Sequence, residues 1–215
     1  MVGYYLGMTS RAAALRHFKR VDPHFHHATS AYHDTLPLEL SSEHMRVQLF
    51  KSLVSTVISQ QLGTAAADTI FARVNSACQG RVTPLSILEM RPEILRRAGL
   101  SGAKIKTLKA IAKAVENGSL DLLKLKKIPE TEAADMLLNI WGLGPWSVDM
   151  FMMFALDRID VFSPGDLGLI RSMEAIYRLP KDAPRSSLLA IAEKWSPYRT
   201  YACLLLWRSR DTKAG

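Results

Sequence analysis

Two glycines, one residue apart, interrupt a helical pattern and constrain the backbone more than any other feature of the chain. Residues 136–156 read MLLNIWGLGPWSVDMFMMFAL, with the glycines at Gly142 and Gly144. Because glycine adopts positive φ without a steric penalty, this pattern predicts a tight hairpin between two helices. Pro145 favours the first turn of the second helix, where a missing N–H costs nothing. The N–H groups of such a hairpin and of the helix N-terminus form a site for an anion such as phosphate.

A carboxylate stands at the start of the next predicted helix. Residues 161–168 read VFSPGDLG, and Asp166 follows Ser163 at the spacing of a capping box, with Pro164 at the first helical position. This spacing predicts Asp166 at the third position of the helix, where the helix dipole favours an ionised carboxylate.

Hydrophobic residues recur at helical spacing through most of the chain, whereas strand-like alternation and internal repeats are missing from the sequence. The helix predicted at 145–156 is apolar nearly all round, so we expect it to be buried at the centre of the fold. Residues 22–40 lack the pattern and predict a loop, whose histidines we expect to be solvated or packed singly rather than to bind a metal. The chain is therefore predicted to be all-α, with helices at 10–21, 46–61, 64–76, 87–100, 104–116, 130–140, 145–156, 166–177, 185–194 and 198–210.

Charge and cysteine content narrow the class of protein. A formal net charge of +8 favours a polyanionic partner, either nucleic acid or a membrane surface. The alternative is that the charge only keeps the protein soluble. No apolar run reaches the roughly 18 residues of a membrane span, and no signal peptide opens the sequence, so we expect an intracellular protein without a membrane segment. Cys78 and Cys203 are the only cysteines, which fits a reducing compartment and supplies neither a disulfide framework nor a zinc site.

The motifs resemble, in the same order, those of the helix–hairpin–helix DNA glycosylases, and within them the 3-methyladenine DNA glycosylase II branch. Residues 140–144 match the family's hairpin core, with Trp141 in place of the usual proline. Residues 161–168 match the segment that carries the catalytic aspartate, and residues 195–202 (WSPYRTYA) give a further match near the C-terminus. The resemblance covers residues 46–208, and several motifs in order are far more specific than any one of them.

The resemblance implies a two-lobed, all-α helix–hairpin–helix glycosylase fold. One lobe would span 46–155 and include the hairpin at 140–145. The other would combine 1–45 with 156–215, and the active-site cleft would lie between the lobes.

The resemblance makes Asp166 the expected catalytic carboxylate. A glycosylase breaks the bond between C1′ and a base nitrogen through a cation-like sugar, which a carboxylate stabilises while it orients the attacking water. A capping role for Asp166 is the alternative, and both roles can hold. Bifunctional relatives place a nucleophilic lysine where this chain has Trp146, so we expect a monofunctional enzyme that leaves an intact abasic site.

Trp146 and Trp207 match family positions beside the extruded base. Their aromatic faces suit alkylated purines, which carry a positive charge. Met150 replaces a pocket aromatic of relatives, and its thioether can still contact a purine. Core packing is the alternative for each of these side chains.

The resemblance also implies how duplex DNA is held. The turn formed by Gln60, Gln61 and Leu62 would enter the base stack and fill the gap left by the extruded base, although polar residues at such a turn are more often only turn residues. Gly142, Gly144 and Trp146 would contact phosphate at the hairpin. The lysines of the helix at 104–116 are expected to be merely solvated: Lys104, Lys106, Lys109 and Lys113.

No cofactor is expected to be required for catalysis. The family commonly holds a monovalent cation at the hairpin through main-chain carbonyls, here those of Leu138, Ile140 and Leu143. With two cysteines the chain cannot form the four-cysteine iron–sulfur cluster of the endonuclease III branch.

The sequence thus predicts a monomeric DNA glycosylase that removes alkylated purines of the 3-methyladenine and 7-methylguanine type during base excision repair. It would act in the cytoplasm or nucleoid of a bacterium or in the nucleus of a eukaryote. A non-catalytic protein that binds damaged DNA or abasic sites on the same fold is the alternative.

Overall fold

The computed structural model describes residues 10–38, 40 and 46–211, and these ranges contain helices and no β-strand, as the all-α prediction requires. No described helix is both long and apolar enough to cross a membrane. The helices are α1 (Arg11–Val21), α2 (Pro23–Ala28), a 3-10 helix (Ser30–Thr35), α3 (Arg46–Ser59), α4 (Thr64–Ala77), α5 (Pro84–Glu89), α6 (Pro92–Ala98), α7 (Gly102–Glu116), α8 (Leu122–Leu125), α9 (Glu130–Leu138), α10 (Pro145–Phe154), α11 (Leu167–Tyr177), α12 (Arg185–Glu193) and α13 (Arg199–Asp211).

The chain divides into two compact units. One comprises Glu43–Leu156 and contains α3 to α10, while the other combines Met1–Ser42 with Asp157–Gly215 and contains α1, α2 and α11 to α13.

The first unit is built on α3 and α10, which pack against each other. The apolar face predicted for α3 is fully buried: Phe50, Leu53, Val54, Val57 and Ile58. In α10 the residues from Val148 to Met153 are mostly buried, but Phe154 is 53% exposed and Trp146 is half-buried. The prediction that α10 is buried all round is therefore wrong at these two positions, because both side chains face the hollow described below.

The second unit has an aromatic core. Phe25 lies against Trp195 with ring centroids 4.8 Å apart, and both side chains are fully buried. Tyr198 and Tyr201 are buried as well, so the aromatic residues of the C-terminal motif belong to the core.

The loop predicted at 22–40 is instead largely helical, because local caps override the missing hydrophobic pattern. The Asp22 carboxylate accepts a hydrogen bond from the Phe25 N–H at 3.0 Å, and Pro23 occupies the first helical position of α2. The 3-10 helix Ser30–Thr35 follows directly. Within the described residues, no group of three or more His, Cys, Asp or Glu is arranged to hold a metal ion.

One other predicted helix is divided in the structure. The helix expected at 87–100 is two helices, α5 and α6, because Pro92 begins a new one.

Candidate functional site

The hairpin (residues 140–145) joins α9 to α10 and depends on one of its glycines. Gly142 has φ +86°, and a Cβ at this position would overlap the hydroxyl of Thr107 on α7. Gly144 has φ −98° and caps α10, and a Cβ there would meet no atom within 4 Å. The fold therefore demands glycine at 142, whereas at 144 it leaves open space beside the N-terminus of α10.

The side chain of Gln60 anchors the hairpin from inside the protein. Its Nε2 donates hydrogen bonds to the Gly142 carbonyl at 3.1 Å and to the Ser147 hydroxyl at 2.8 Å. Gln60 was predicted at the DNA interface, and the structure shows that both amide hydrogens are engaged within the protein.

The tip of the turn after α3 is presented to solvent. Gln61 is exposed and has φ +57°, in the left-handed region, and Leu62 is 39% exposed. We call residues 60–63 the extrusion turn, after the role that the family resemblance predicts for them. Gln61 and Leu62 are exposed at its tip, while the adjacent Gln60 holds the turn to the hairpin.

Two lysines of α7 are structural rather than solvated. The Lys104 ammonium donates to the carbonyls of Ile58 at 2.7 Å and Gln60 at 2.8 Å. Lys109 donates in the same way to the carbonyls of Leu88 at 2.7 Å and Met90 at 2.6 Å. Burial lowers the pKa of both ammonium groups. The expectation of a solvated lysine face is wrong at these positions because each ammonium binds carbonyls at the end of another helix.

The other two lysines of that face are exposed. Lys106 lies over the ring of Trp141, with its Nζ 4.0 Å from the ring centroid. Trp141, which replaces the family's usual proline, is 48% exposed at the hairpin. A cation–π contact therefore holds this side chain at the surface.

A hollow of about 360 Å³ lies between α3 and α10 and has two chemically different walls. The α10 wall includes both predicted pocket residues of this helix, Trp146 and Met150, together with Phe154. The α3 wall consists of hydroxyl residues: Ser52, Ser55, Thr56 and Ser59. Among the residues that the structure describes, no charged side chain lines the hollow. The sequence analysis missed the hydroxyl wall, although its helical spacing of three and four residues is visible in the sequence.

The hydroxyl groups of this wall are partly committed to the helix. Thr56 Oγ1 donates to the Ser52 carbonyl at 3.0 Å, and Ser59 Oγ donates to the Ser55 carbonyl at 2.9 Å. Each hydroxyl hydrogen is therefore used, so these oxygens can offer only acceptor lone pairs to a ligand. The hollow thus has hydrogen-bond acceptors on its α3 wall and aromatic and thioether groups on its α10 wall. This combination suits a planar, electron-poor ring with N–H donors at its edge.

Asp166 is the N-cap of α11 rather than its third residue. Its Oδ1 accepts a hydrogen bond from the Leu169 N–H at 2.9 Å, which is the geometry of a cap. The predicted capping box is wrong: Ser163 is fully buried, and its hydroxyl has no hydrogen-bond partner among the described residues. Asp166 thus has the capping role that the sequence offered as the alternative, but as the N-cap itself, and the residue is half-buried.

Trp207 binds the same carboxylate. Its Nε1–H donates to Asp166 Oδ1 at 3.0 Å, across from the first turn of α11. A Cβ on Gly168 would lie 3.0 Å from Asp166 Oδ1, 3.1 Å from Arg210 Nη1 and 3.1 Å from Trp207 Cδ1. Glycine at 168 therefore lets these three side chains approach one another. The sequence analysis identified Trp207 as a base contact and assigned no role to Gly168 or Arg210.

The main-chain groups predicted to bind a cation lie at the C-terminal end of α9 and in the hairpin that follows it. Leu138 is the last residue of that helix, so its carbonyl has no acceptor role within the helix, and the helix dipole is negative here. The Ile140 carbonyl accepts a hydrogen bond from the Leu143 N–H at 3.1 Å and retains a second lone pair. Such oxygens have the chemistry that a hard cation requires.

Comparison with known proteins identifies similar chains. A family model described as HhH-GPD superfamily base excision DNA repair protein matches residues 54–197. DNA-3-methyladenine glycosylase 1 of Schizosaccharomyces pombe is 34% identical over 163 residues, which cover 74% of this chain and 72% of the relative.

Two solved structures of similar proteins also match the fold of this chain. A DNA-3-methyladenine glycosidase from Bacillus halodurans superimposes with a TM-score of 0.74 at 32% identity, covering 92% of this chain and 90% of the other. The 3-methyladenine DNA glycosylase of Schizosaccharomyces pombe, in complex with abasic DNA, gives a TM-score of 0.78 at 30% identity, covering 91% of this chain and 95% of the other.

Proposed function

The chain belongs to the HhH-GPD superfamily of base excision DNA repair proteins, and from this premise we propose that it hydrolyses the N-glycosyl bond of alkylated purines in duplex DNA. The product would be a free base and an uncut abasic strand. The observation that carries the proposal is the carboxylate of Asp166, which is fixed at the start of α11 by N–H donors from Leu169 and Trp207.

Asp166 would act on the sugar. As the glycosyl bond breaks, positive charge develops at C1′ and the ring oxygen, and a nearby carboxylate lowers the energy of that state. The same carboxylate can orient the attacking water and take up its proton.

Water would be the nucleophile because the hairpin offers no amine at the position that bifunctional relatives use. Trp146 occupies that position, in the first turn of α10, and an indole cannot form a Schiff base with C1′. The lyase step is therefore not expected.

The hollow between α3 and α10 would receive the extruded base. Trp146 and Met150 would contact its face, and a cationic alkylated purine gains cation–π attraction beyond ordinary stacking. The oxygens of Thr56 and Ser59 would accept hydrogen bonds from N–H groups at the edge of the base, and none of the described lining residues carries a positive charge that would repel a cation. An alkylated purine is also a good leaving group, so little acid catalysis is required.

The hairpin and the extrusion turn would contact the duplex. Open space beside Gly144 allows a phosphate to approach the N-terminus of α10, where N–H groups and the helix dipole favour an anion. Gln61 or Leu62 would fill the gap left by the base. A monovalent cation held by the carbonyls of Leu138, Ile140 and Leu143 would add a positive charge near the same phosphate. We propose that the protein acts as a monomer in whichever compartment holds the genome.

A base-release assay tests the proposal. Wild-type protein and Asp166→Asn are incubated with a duplex that carries one 7-methylguanine, and the free base is measured by chromatography. We expect release by the wild type, no release by Asp166→Asn, and equal affinity of both for an abasic duplex. Tight binding of damaged DNA by the wild type without any release would instead favour the non-catalytic binding protein.

A further inference from the structure

A single helix, α7, contacts both the extrusion turn and the hairpin. Lys104 lies in the first turn of α7, where the helix dipole disfavours a cation, so its placement is explained by its partners and not by its own helix. Those partners are the carbonyls of Ile58 and Gln60, at 2.7 and 2.8 Å. The last carbonyls of a helix have no intrahelical donor, so the ammonium caps α3 at the point where the extrusion turn begins.

Gln60 carries the connection onward to the hairpin. Its main-chain carbonyl is held by Lys104, while its side-chain Nε2 donates to the Gly142 carbonyl and the Ser147 hydroxyl. Ser147 is 2% exposed, so this second acceptor lies on the buried face of α10. Gln60 is thus fixed at both ends, directly before the exposed tip residue Gln61.

A second contact ties α7 to the hairpin. Thr107, one helical turn after Lys104 and 2% exposed, lies against Gly142 so closely that no Cβ fits there. One face of α7 therefore touches both elements: Lys104 holds the extrusion turn and Thr107 holds the hairpin. The left-handed conformation of Gln61 is one that non-glycine residues adopt only when the surrounding structure enforces it, which these contacts provide.

We propose that Lys104 is a positioning residue for base extrusion: through Gln60 it sets the place of the extrusion turn relative to the phosphate-binding hairpin. The inference rests on the proposed function, because it assumes that the hairpin grips the DNA backbone while Gln61 or Leu62 enters the stack. A turn that enters the stack must be held to a fraction of an ångström relative to the grip on the backbone. Loss of the ammonium would slow extrusion, while duplex binding would weaken only as much as the loss of any single positive charge requires.

The test compares Lys104→Met with Lys113→Met, which removes the same charge from an exposed position of the same helix. The probe is a duplex with 2-aminopurine beside a 7-methylguanine whose sugar carries a 2′-fluorine. The fluorine destabilises the cation-like sugar, so the glycosyl bond stays intact and extrusion is observed without base release. The fluorescence of 2-aminopurine increases when the neighbouring base leaves the stack. Single-turnover release from the non-fluorinated duplex, duplex affinity and the circular-dichroism melting temperature are measured alongside.

We expect Lys104→Met to lose extrusion and to slow base release by roughly tenfold or more relative to Lys113→Met. Both variants should lose duplex affinity equally, since each loses one charge, and Lys104→Arg should restore part of the extrusion signal. Extrusion and release equal to those of Lys113→Met, in a folded Lys104→Met, would overturn the inference.

Two further outcomes separate this inference from the proposed function. If Lys104→Met fails to fold, Gln60→Met breaks the same connection from its other end, and unchanged extrusion in that variant would overturn the inference. Wild-type extrusion that depends on Lys104 but is followed by no base release would support the inference and contradict the hydrolytic function.

Discussion

Gly142→Ala and Gly144→Ala should separate the folding role of the hairpin from its role in binding DNA. At Gly142, with φ +86°, an alanine faces a left-handed strain of roughly 1–2 kcal/mol. Its methyl group would also overlap the hydroxyl of buried Thr107, and overpacking of this kind costs about 1–3 kcal/mol. Together these costs predict a loss of about 2–5 kcal/mol in the free energy of unfolding.

Gly144→Ala is the matched control. Gly144 has φ −98° and an added Cβ meets nothing within 4 Å, so the free energy of unfolding should change by less than about 0.5 kcal/mol. Its methyl group would nevertheless occupy the space through which a phosphate reaches the N-terminus of α10, so affinity for duplex DNA should fall.

Urea unfolding followed by circular dichroism measures the stability of both variants, and fluorescence anisotropy measures their affinity for a labelled duplex. Equal stability of the two variants would refute the assignment of Gly142 as the constrained glycine. Full duplex affinity of Gly144→Ala would refute the approach of phosphate at this point.

Three other substitutions test separate parts of the account. Trp207→Phe keeps an aromatic ring but removes the Nε1–H that donates to Asp166. Because a hydrogen bond to a charged group contributes about 1.5–3 kcal/mol, single-turnover base release should slow roughly tenfold to a hundredfold. A wild-type rate in Trp207→Phe together with a slow rate in Trp207→Ala would show that only the ring matters. Thr56→Val removes a hydroxyl from the hollow and should slow release of 7-methylguanine roughly two- to tenfold. Thr69→Val removes a similarly bonded hydroxyl from an exposed position of α4 and should not slow release, and equal rates in both variants would exclude a hydrogen bond from the base to the Thr56 oxygen. His26 and His33 pack with ring centroids 4.5 Å apart, and burial, reinforced by neighbouring positive charge, lowers the pKa of both below 6.5. The unfolded chain therefore binds more protons than the folded one, and the free energy of unfolding falls as pH falls through about 6.5. In urea unfolding between about pH 7 and pH 5, His33→Gln should lose less stability than the wild type, and an undiminished loss would contradict this assignment.

Local patterns predicted the helices and their buried faces well. The apolar face of α3 and the hairpin between α9 and α10 follow from residue spacing and from glycine and proline chemistry, which act within a few residues. The comparisons confirm the family that the motifs indicated.

Features that depend on distant partners could not be read from the sequence. Lys104 and Lys109 look like ordinary surface lysines until their acceptors are known, and those acceptors come from helices more remote in the chain. Asp166 is a second case: its helix begins three residues later than the capping-box pattern predicts, and its carboxylate accepts a hydrogen bond from the distant indole of Trp207. The sequence of the turn likewise does not reveal that the side-chain amide of Gln60 is bound to the hairpin.

The central claim is that water, and no amine of the protein, cleaves the glycosyl bond, and product analysis in the presence of borohydride tests it most directly. The family resemblance assigns to Trp146 the position at which bifunctional relatives carry a lysine, so we expect the wild-type protein to release free 7-methylguanine from an end-labelled duplex and to leave the strand intact until alkali or heat is applied. Borohydride added during turnover should trap no covalent protein–DNA adduct. An adduct formed in proportion to base release, with strand breaks that need no alkali, would contradict the account.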